Sequence, residues 1–377
     1  RRRGRGAGAS LAAISRYANQ DPVKGQLIRT IKMRKSSPEQ MAQAVAELRE
    51  GHMLEDPREY RDLIKALSNR RAWAEALTLW DEMQWIGITP EERDYTLAMG
   101  ACSRGLNWAL ALHLLGEMQD KGLQADSWAY SAAIGACRDV GCWREALELL
   151  REMEECLAAP DLVAYNSVIS ACERGQQLRP AQDILDEMRR WGVMPDCKTC
   201  SALISACGWV GEWEQALDYL QYMNVTKKIR ADLIAYTAAI STLAKCGEWE
   251  GALALLQETM WYRMGQNVST FNAALLGCSQ AGRCEIMEDV MAAMRKAEIR
   301  PNLITYNTLI TGCERADNWQ GALGYLEEMR SQGLEPRDVA FGAAAGACEA
   351  AGQAELAEAL RGELREQQER PERRGGR

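Results

Sequence analysis

An all-α fold, an α-solenoid of stacked helix hairpins, is what this sequence predicts, and two observations carry the prediction: a fixed period of 35 residues, and two helical apolar stripes inside each period. Met83, Met118, Met153, Met188 and Met223 stand 35 residues apart. Met294 and Met329 resume the series after a gap of 71, one unit of 36 plus one of 35, with Thr259 and Met260 between them. An alanine keeps the same beat at Ala76, Ala111, Ala146, Ala181, Ala216, Ala252, Ala322 and Ala357, giving way only at Met287.

The stretch from Leu303 to Arg337 displays the unit most plainly. Tyr306, Leu309, Ile310 and Cys313 fall at i, i+3, i+4 and i+7, which puts one apolar stripe on a helix. After a break at Ala316 to Asn318, the residues Trp319, Ala322, Leu323, Leu326 and Met329 repeat that spacing, and Gly333 with Pro336 supplies a stop. One hairpin cannot bury two stripes alone, so like neighbours must stack against it. Nine units result, at 57–91, 92–126, 127–161, 162–196, 197–232, 233–267, 268–302, 303–337 and 338–366. Residues 21–56 are helical in pattern without the marks of the repeat and are expected to form an N-terminal cap, with Ser37 and Pro38 opening its second helix. Residues 1–20 hold five Arg and no acid, the composition of a transit-peptide remnant or of a basic disordered tail. Residues 367–377 form a charged tail.

Hydrophobic residues make up 47% of the chain, yet no run approaches the ~18 apolar residues of a membrane span, so no membrane partner is expected. The net charge of −8, taken alone, argues against nucleic acid. Thirteen cysteines invite a disulfide or zinc reading until seven of them, Cys102, Cys137, Cys172, Cys207, Cys278, Cys313 and Cys348, are found at one point of the first helix. Stacked helices lie about 8–10 Å apart and a disulfide needs Cα atoms within about 7 Å, so the row reads as free, buried, small hydrophobes in a reducing compartment. The single C-x-x-C, Cys197 and Cys200, lacks the further ligands zinc requires, and no metal or other cofactor is expected. Trp73, Trp108, Trp143, Trp213, Trp249 and Trp319 open the second helix in six units and are followed by Ala and Leu of the same stripe, which predicts packing between hairpins rather than base stacking.

Several helix-hairpin repeats share this period, and the wording separates them. Tyr-Asn-Thr-Leu-Ile at 306–310, Ala-Tyr-Asn-Ser-Val-Ile at 164–169 and closings such as Gly192-Val-Met-Pro195-Asp196 closely resemble the pentatricopeptide repeat family, over about residues 57–366. The resemblance implies a right-handed α-superhelix that binds single-stranded RNA, one base per repeat, in mitochondria or chloroplasts. It also implies two base-reading residues per unit: the one after the Tyr, and the last of the unit. Guanine and uracil present a ring N–H while adenine and cytosine present a ring acceptor, so a terminal Asp suits the first two and a terminal Asn the others. In the family, Ser or Thr at the first reading position accompanies purines and Asn accompanies pyrimidines.

Carried onto this chain, Thr96 with Asp126, Ser131 with Asp161 and Ser201 with Asp232 resemble G readers, and Asn166 with Asp196 a U reader. Thr237 with Asn267 resembles an A reader, and Asn272 with Asn302 a reader of C or U. Arg61 with Glu91 matches no family pair, Asn307 is followed by Arg337 instead of an acid or amide, and Gly342 has no side chain to read with. The family also places bases between side chains two residues before the Tyr, here Trp128, Val163, Lys198, Ile234, Ser269, Ile304 and Val339. Arg104, Arg174, Lys245 and Arg315 recur two residues after the Cys row, and this stripe is expected to contact phosphates despite the acidic total. The expected function is therefore non-catalytic, sequence-selective RNA binding in organelle RNA stabilisation, processing, splicing or translation, with other RNA-processing proteins as further partners. A peptide-binding scaffold is the alternative. A zinc deaminase would need His-x-Glu and Pro-Cys-x-x-Cys, and neither occurs in the chain.

Overall fold

Twenty helices and no strand make up the described residues of the computed structural model, which are 22–33, 36–54, 56–156, 159–225 and 229–369. The basic stretch at 1–20 lies outside them. The chain forms two compact units, Arg1–Met194 and Pro195–Arg377.

The first unit opens with α1 (Pro22–Lys32) and α2 (Pro38–Glu50). Ser37 caps α2 by accepting the Gln40 N–H at 3.2 Å, while the Gln40 side chain accepts the Ser37 N–H at 3.0 Å. Proline at the first helical position completes this start signal. Four hairpins follow: α3 (Pro57–Asn69) with α4 (Trp73–Trp85), α5 (Glu92–Arg104) with α6 (Trp108–Asp120), α7 (Ser127–Val140) with α8 (Trp143–Glu155), and α9 (Leu162–Arg174) with α10 (Leu178–Arg190). The second unit holds five: α11 (Cys197–Val210) with α12 (Trp213–Val225), α13 (Leu233–Lys245) with α14 (Trp249–Trp261), α15 (Val268–Gln280) with α16 (Cys284–Lys296), α17 (Leu303–Arg315) with α18 (Trp319–Ser331), and α19 (Asp338–Ala350) with α20 (Ala354–Glu369). The last helix thus runs past Glu366, into the stretch whose composition marks it as a charged tail.

Within each unit the first helices of successive hairpins stack on one another, and each second helix packs on its own partner and on the first helix of the next hairpin. Sequence dictates this layering. The aromatic row Tyr60, Tyr95, Tyr130, Tyr165, Tyr236 and Tyr306, continued by Phe271 and Phe341, is wholly buried, and so is the methionine row. Three of the tyrosine hydroxyls donate to carboxylates on the second helix, Tyr95 to Glu117 at 2.9 Å, Tyr236 to Glu258 at 2.8 Å and Tyr306 to Glu328 at 3.1 Å, while Tyr130 donates to Cys156 Sγ at 3.5 Å. One side chain therefore fills the core and ties the two helices of a hairpin together.

The cysteine row is buried and free, as its phasing predicts. Burial pushes the thiols of Cys102, Cys137, Cys172, Cys207 and Cys313 up to about 12 and that of Cys278 to about 11, so at neutral pH they remain unreactive thiols. The tryptophans that open the second helices are half-buried against the next hairpin. A Cβ on Gly105 would stand 2.5 Å from the Trp73 ring, and one on Gly175 the same distance from Trp143. The turn expected at Ala316 to Asn318 passes through a left-handed Asp317, and Gly333 ends the second helix at φ 74°. Among the described residues no helix is long and apolar enough to cross a membrane.

Candidate functional site

Three rows of side chains meet where each first helix begins. The first is the last residue of each unit from 57–91 to 303–337, and its first role is structural, because it is the N-cap of the following helix. Asp126 accepts the Ala129 N–H at 2.8 Å, Asp161 that of Ala164 at 2.8 Å, Asp196 that of Thr199 at 2.9 Å and Asp232 that of Ala235 at 2.9 Å. Asn267 and Asn302 accept the N–H groups of Thr270 and Thr305, each at 3.0 Å. Helix N-caps favour Asp and Asn for reasons unrelated to any ligand, so the restricted alphabet of this row does not by itself argue for RNA. The cap does fix what is left over. With Oδ1 engaged, Asp126 and Asp161 have a second carboxylate oxygen outside the cap, and Asn267 and Asn302 have an amide NH₂.

The next row lies one turn into the helix. Thr96, Ser201 and Thr237 each donate to the carbonyl four residues back, at 3.0, 2.7 and 2.7 Å. Ser131, Asn166, Asn272 and Asn307 are half-exposed at the same point, whereas Ser201 is only 8% exposed and is the least accessible. In hairpins 233–267 and 268–302 these two rows come together through threonines that the repeat pattern does not single out. Thr270 Oγ1 lies 2.9 Å from Thr237 Oγ1 and 3.1 Å from Asn267 Oδ1. Thr305 Oγ1 lies 2.7 Å from Asn272 Oδ1 and 3.0 Å from Asn302 Oδ1, and Asn272 also donates directly to Asn302 at 3.3 Å. A Thr three residues after a terminal Asn is the signal in the sequence that marks them. In unit 303–337 the arrangement lapses: Asn307 Oδ1 is buried without a hydrogen-bond partner, and Arg337 caps α19 with no side-chain bond.

The third row, two residues into each first helix, is exposed throughout, and Lys198 and Ser269 are its polar members. Trp128 is 75% exposed, Val163 61%, Ile234 70%, Ile304 60% and Val339 58%, although each belongs to a residue type that normally seeks the core. In the first unit a cleft of 380 Å³ is lined by Thr96 and Ser131 of the second row, Trp128 of the third and Arg104.

Arg104, Arg174, Lys245 and Arg315 are exposed, as a phosphate stripe requires, but three of them are also tied to the hairpin before. Arg104 donates to Ser68 Oγ at 2.6 Å and to Asn69 Oδ1 at 3.4 Å. Arg174 donates to the Asp139 carbonyl at 3.1 Å and pairs with its carboxylate at 3.8 Å. Lys245 sits 4.0 Å over the Trp209 ring. Asn69, Asp139 and Trp209 hold the same helical position one hairpin earlier, so base and partner alternate along the stack. Part of the expected positive stripe is consumed in holding neighbours together.

Models of this repeat match along much of the chain. The description "PPR repeat family" covers residues 160–208 and 266–315, "Pentatricopeptide repeat domain" covers 113–174, and "PPR repeat" covers 60–88, 94–123, 198–225, 234–261 and 304–334. No curated protein matches at a significant level. Among solved structures, the pentatricopeptide repeat protein PPR10 from maize is similar at 20% identity with a TM-score of 0.55, over 94% of this chain and 65% of that one. PPR10 in complex with an 18-nt psaJ RNA element is similar at 19% identity with a TM-score of 0.52, over 85% of this chain and 52% of that one. The chain thus spans between half and two thirds of those proteins, and at such identities the likeness speaks for the fold. With the repeat models matched on both units and the same hairpin stack beneath them, the chain belongs to the pentatricopeptide repeat family.

Proposed function

We propose that the chain binds single-stranded RNA without catalysis, one base to a hairpin, and acts in organelle RNA metabolism in a chloroplast or mitochondrion. The exposed row Trp128, Val163, Ile234, Ile304 and Val339 carries this reading. Capping explains the Asp and Asn row, and inter-hairpin ties explain much of the basic row, but neither explains apolar side chains kept in water at one register of the repeat. Such surfaces suit the faces of unstacked bases. Beside them the oxygen left at Asp126 or Asp161 accepts the ring N–H of guanine or uracil, and the amide left at Asn267 or Asn302 donates to adenine or cytosine. With the family's polarity, hairpins 92–126 to 268–302 read GGUGA followed by C or U.

Asn267 gives the sharpest test, because Thr237 stays constant while the last residue alone chooses between A and G. Asn267→Asp keeps an N-cap of equal quality and exchanges an amide donor for an acceptor. Binding to RNAs that differ only at the fifth base should shift its preference from A to G, with a swing of about 1 to 3 kcal/mol. Equal weakening on both RNAs, or a retained preference for A, overturns the assignment. Absence of RNA binding even at low salt would favour the peptide scaffold.

A further inference from the structure

Three departures from the repeat pattern, at three different rows, converge on one spot. Arg61 stands where hairpins 92–126 to 303–337 carry Thr, Ser or Asn. Glu91 stands where hairpins 92–126 to 268–302 carry Asp or Asn, and Asp94 holds a position that is Ala or Thr in every later hairpin. The Arg61 guanidinium meets Asp94 with two bonds, Nε to Oδ1 at 2.5 Å and Nη2 to Oδ2 at 3.1 Å, and its Nη2 also pairs with Glu91 Oε2 at 2.9 Å. Asp94 is 1% exposed, and its Oδ2 further accepts the Glu91 backbone N–H at 2.8 Å. Bidentate pairing strengthens the bond, and separating it would leave a carboxylate buried without a partner.

We propose that hairpin 57–91 is a closed reading position: the planar, donor-rich guanidinium occupies the place of a base edge, so the RNA footprint begins at Thr96 and Asp126 and the nucleotide to its 5′ side is not read. This inference rests on the RNA-binding reading above. To enter, a base edge would have to displace a guanidinium held by two carboxylates, and both reading side chains of the hairpin are already spent on that contact. No other hairpin carries this set of residues.

The test uses the whole chain and four RNAs that hold GGUGAC constant and vary only the base immediately 5′ of it. The wild-type protein should bind all four alike. The variant Arg61→Thr, Glu91→Asp, Asp94→Ala restores the pattern of the later hairpins and should prefer G at that base by about tenfold, the scale of one mismatched contact. Wild-type discrimination among the four bases overturns the proposal. So does a variant whose helical circular dichroism is native and whose binding stays indifferent to that base. If the variant does not fold, the wild-type comparison decides alone. Failure of the wild-type protein to bind any GGUGAC RNA would be the failure of the RNA-binding reading itself.

Discussion

At the scale of single residues, the terminal Asp or Asn of units 92–126 to 268–302 caps the next helix and, in the proposed function, reads a base, and substitution can separate the two. Asp161→Ala removes the acceptor for the Ala164 N–H and should lower stability by about 1 kcal/mol. Asp161→Asn keeps the cap, so a thermal melt should barely move while the base preference of that hairpin changes. If Asn costs as much stability as Ala, the cap geometry is not as described. A second residue-level case is Met287, the one break in the alanine row. A Cβ on Gly312 would lie 2.5 Å from Met287 Cε and Sδ and 3.1 Å from the Ser279 Cα, and Met287 is wholly buried with nowhere to retreat. Gly312→Ala should cost about 1 to 3 kcal/mol. Pairing it with Met287→Ala restores the two alanines found at this spacing in Ala76 with Ala101 and in Ala322 with Ala347. In a denaturant titration the double variant should be more stable than the sum of the singles requires; strict additivity would contradict the contact.

At the scale of the hairpin, the tyrosine to glutamate tie has a defect with a pH consequence. Glu82 and Glu328 are met by an arginine 33 residues earlier, Arg49 at 3.0 Å in one case and Arg295 in the other. Glu187 has Glu154 at that spacing instead. Burial and the hydrogen-bonded neighbouring Glu154 carboxylate push Glu187 up from 4.5 to about 7. A raised carboxylate means the fold prefers the protonated form, so stability is highest below the ordinary Glu value and declines as pH rises from about 4.5 through about 7. Glu154→Arg should abolish that decline and stabilise the protein at pH 8 relative to pH 5, read from melts at both values. An unchanged pH profile would count against the pairing.

Much of this level is legible in sequence. Period, helix pattern, turn residues and the buried cysteine and methionine rows follow from spacing, since a helix face repeats in register with its apolar residues. What spacing cannot show is which atoms the polar rows touch. The alternation of Arg104, Arg174 and Lys245 with Asn69, Asp139 and Trp209 lies in the same letters, but a contact between positions 35 or 36 residues apart becomes visible only once first helices stack on first helices. The Asp and Asn row likewise reads as base recognition until its Oδ1 atoms are found at helix starts.

At the scale of the whole molecule, the proposed recognition rests on one register shared by hairpins 92–126 to 268–302: exposed residue, reader, capping residue. Under that proposal the order of bases follows the order of hairpins, and hairpin 57–91 is silent. Selection of bound RNA from a random single-stranded pool with the wild-type chain tests this in one step. The enriched sequences should align on GGUGA followed by C or U, with the position before them unselected. Enrichment of an unrelated sequence, or a bound pool indistinguishable from the input, would contradict that register.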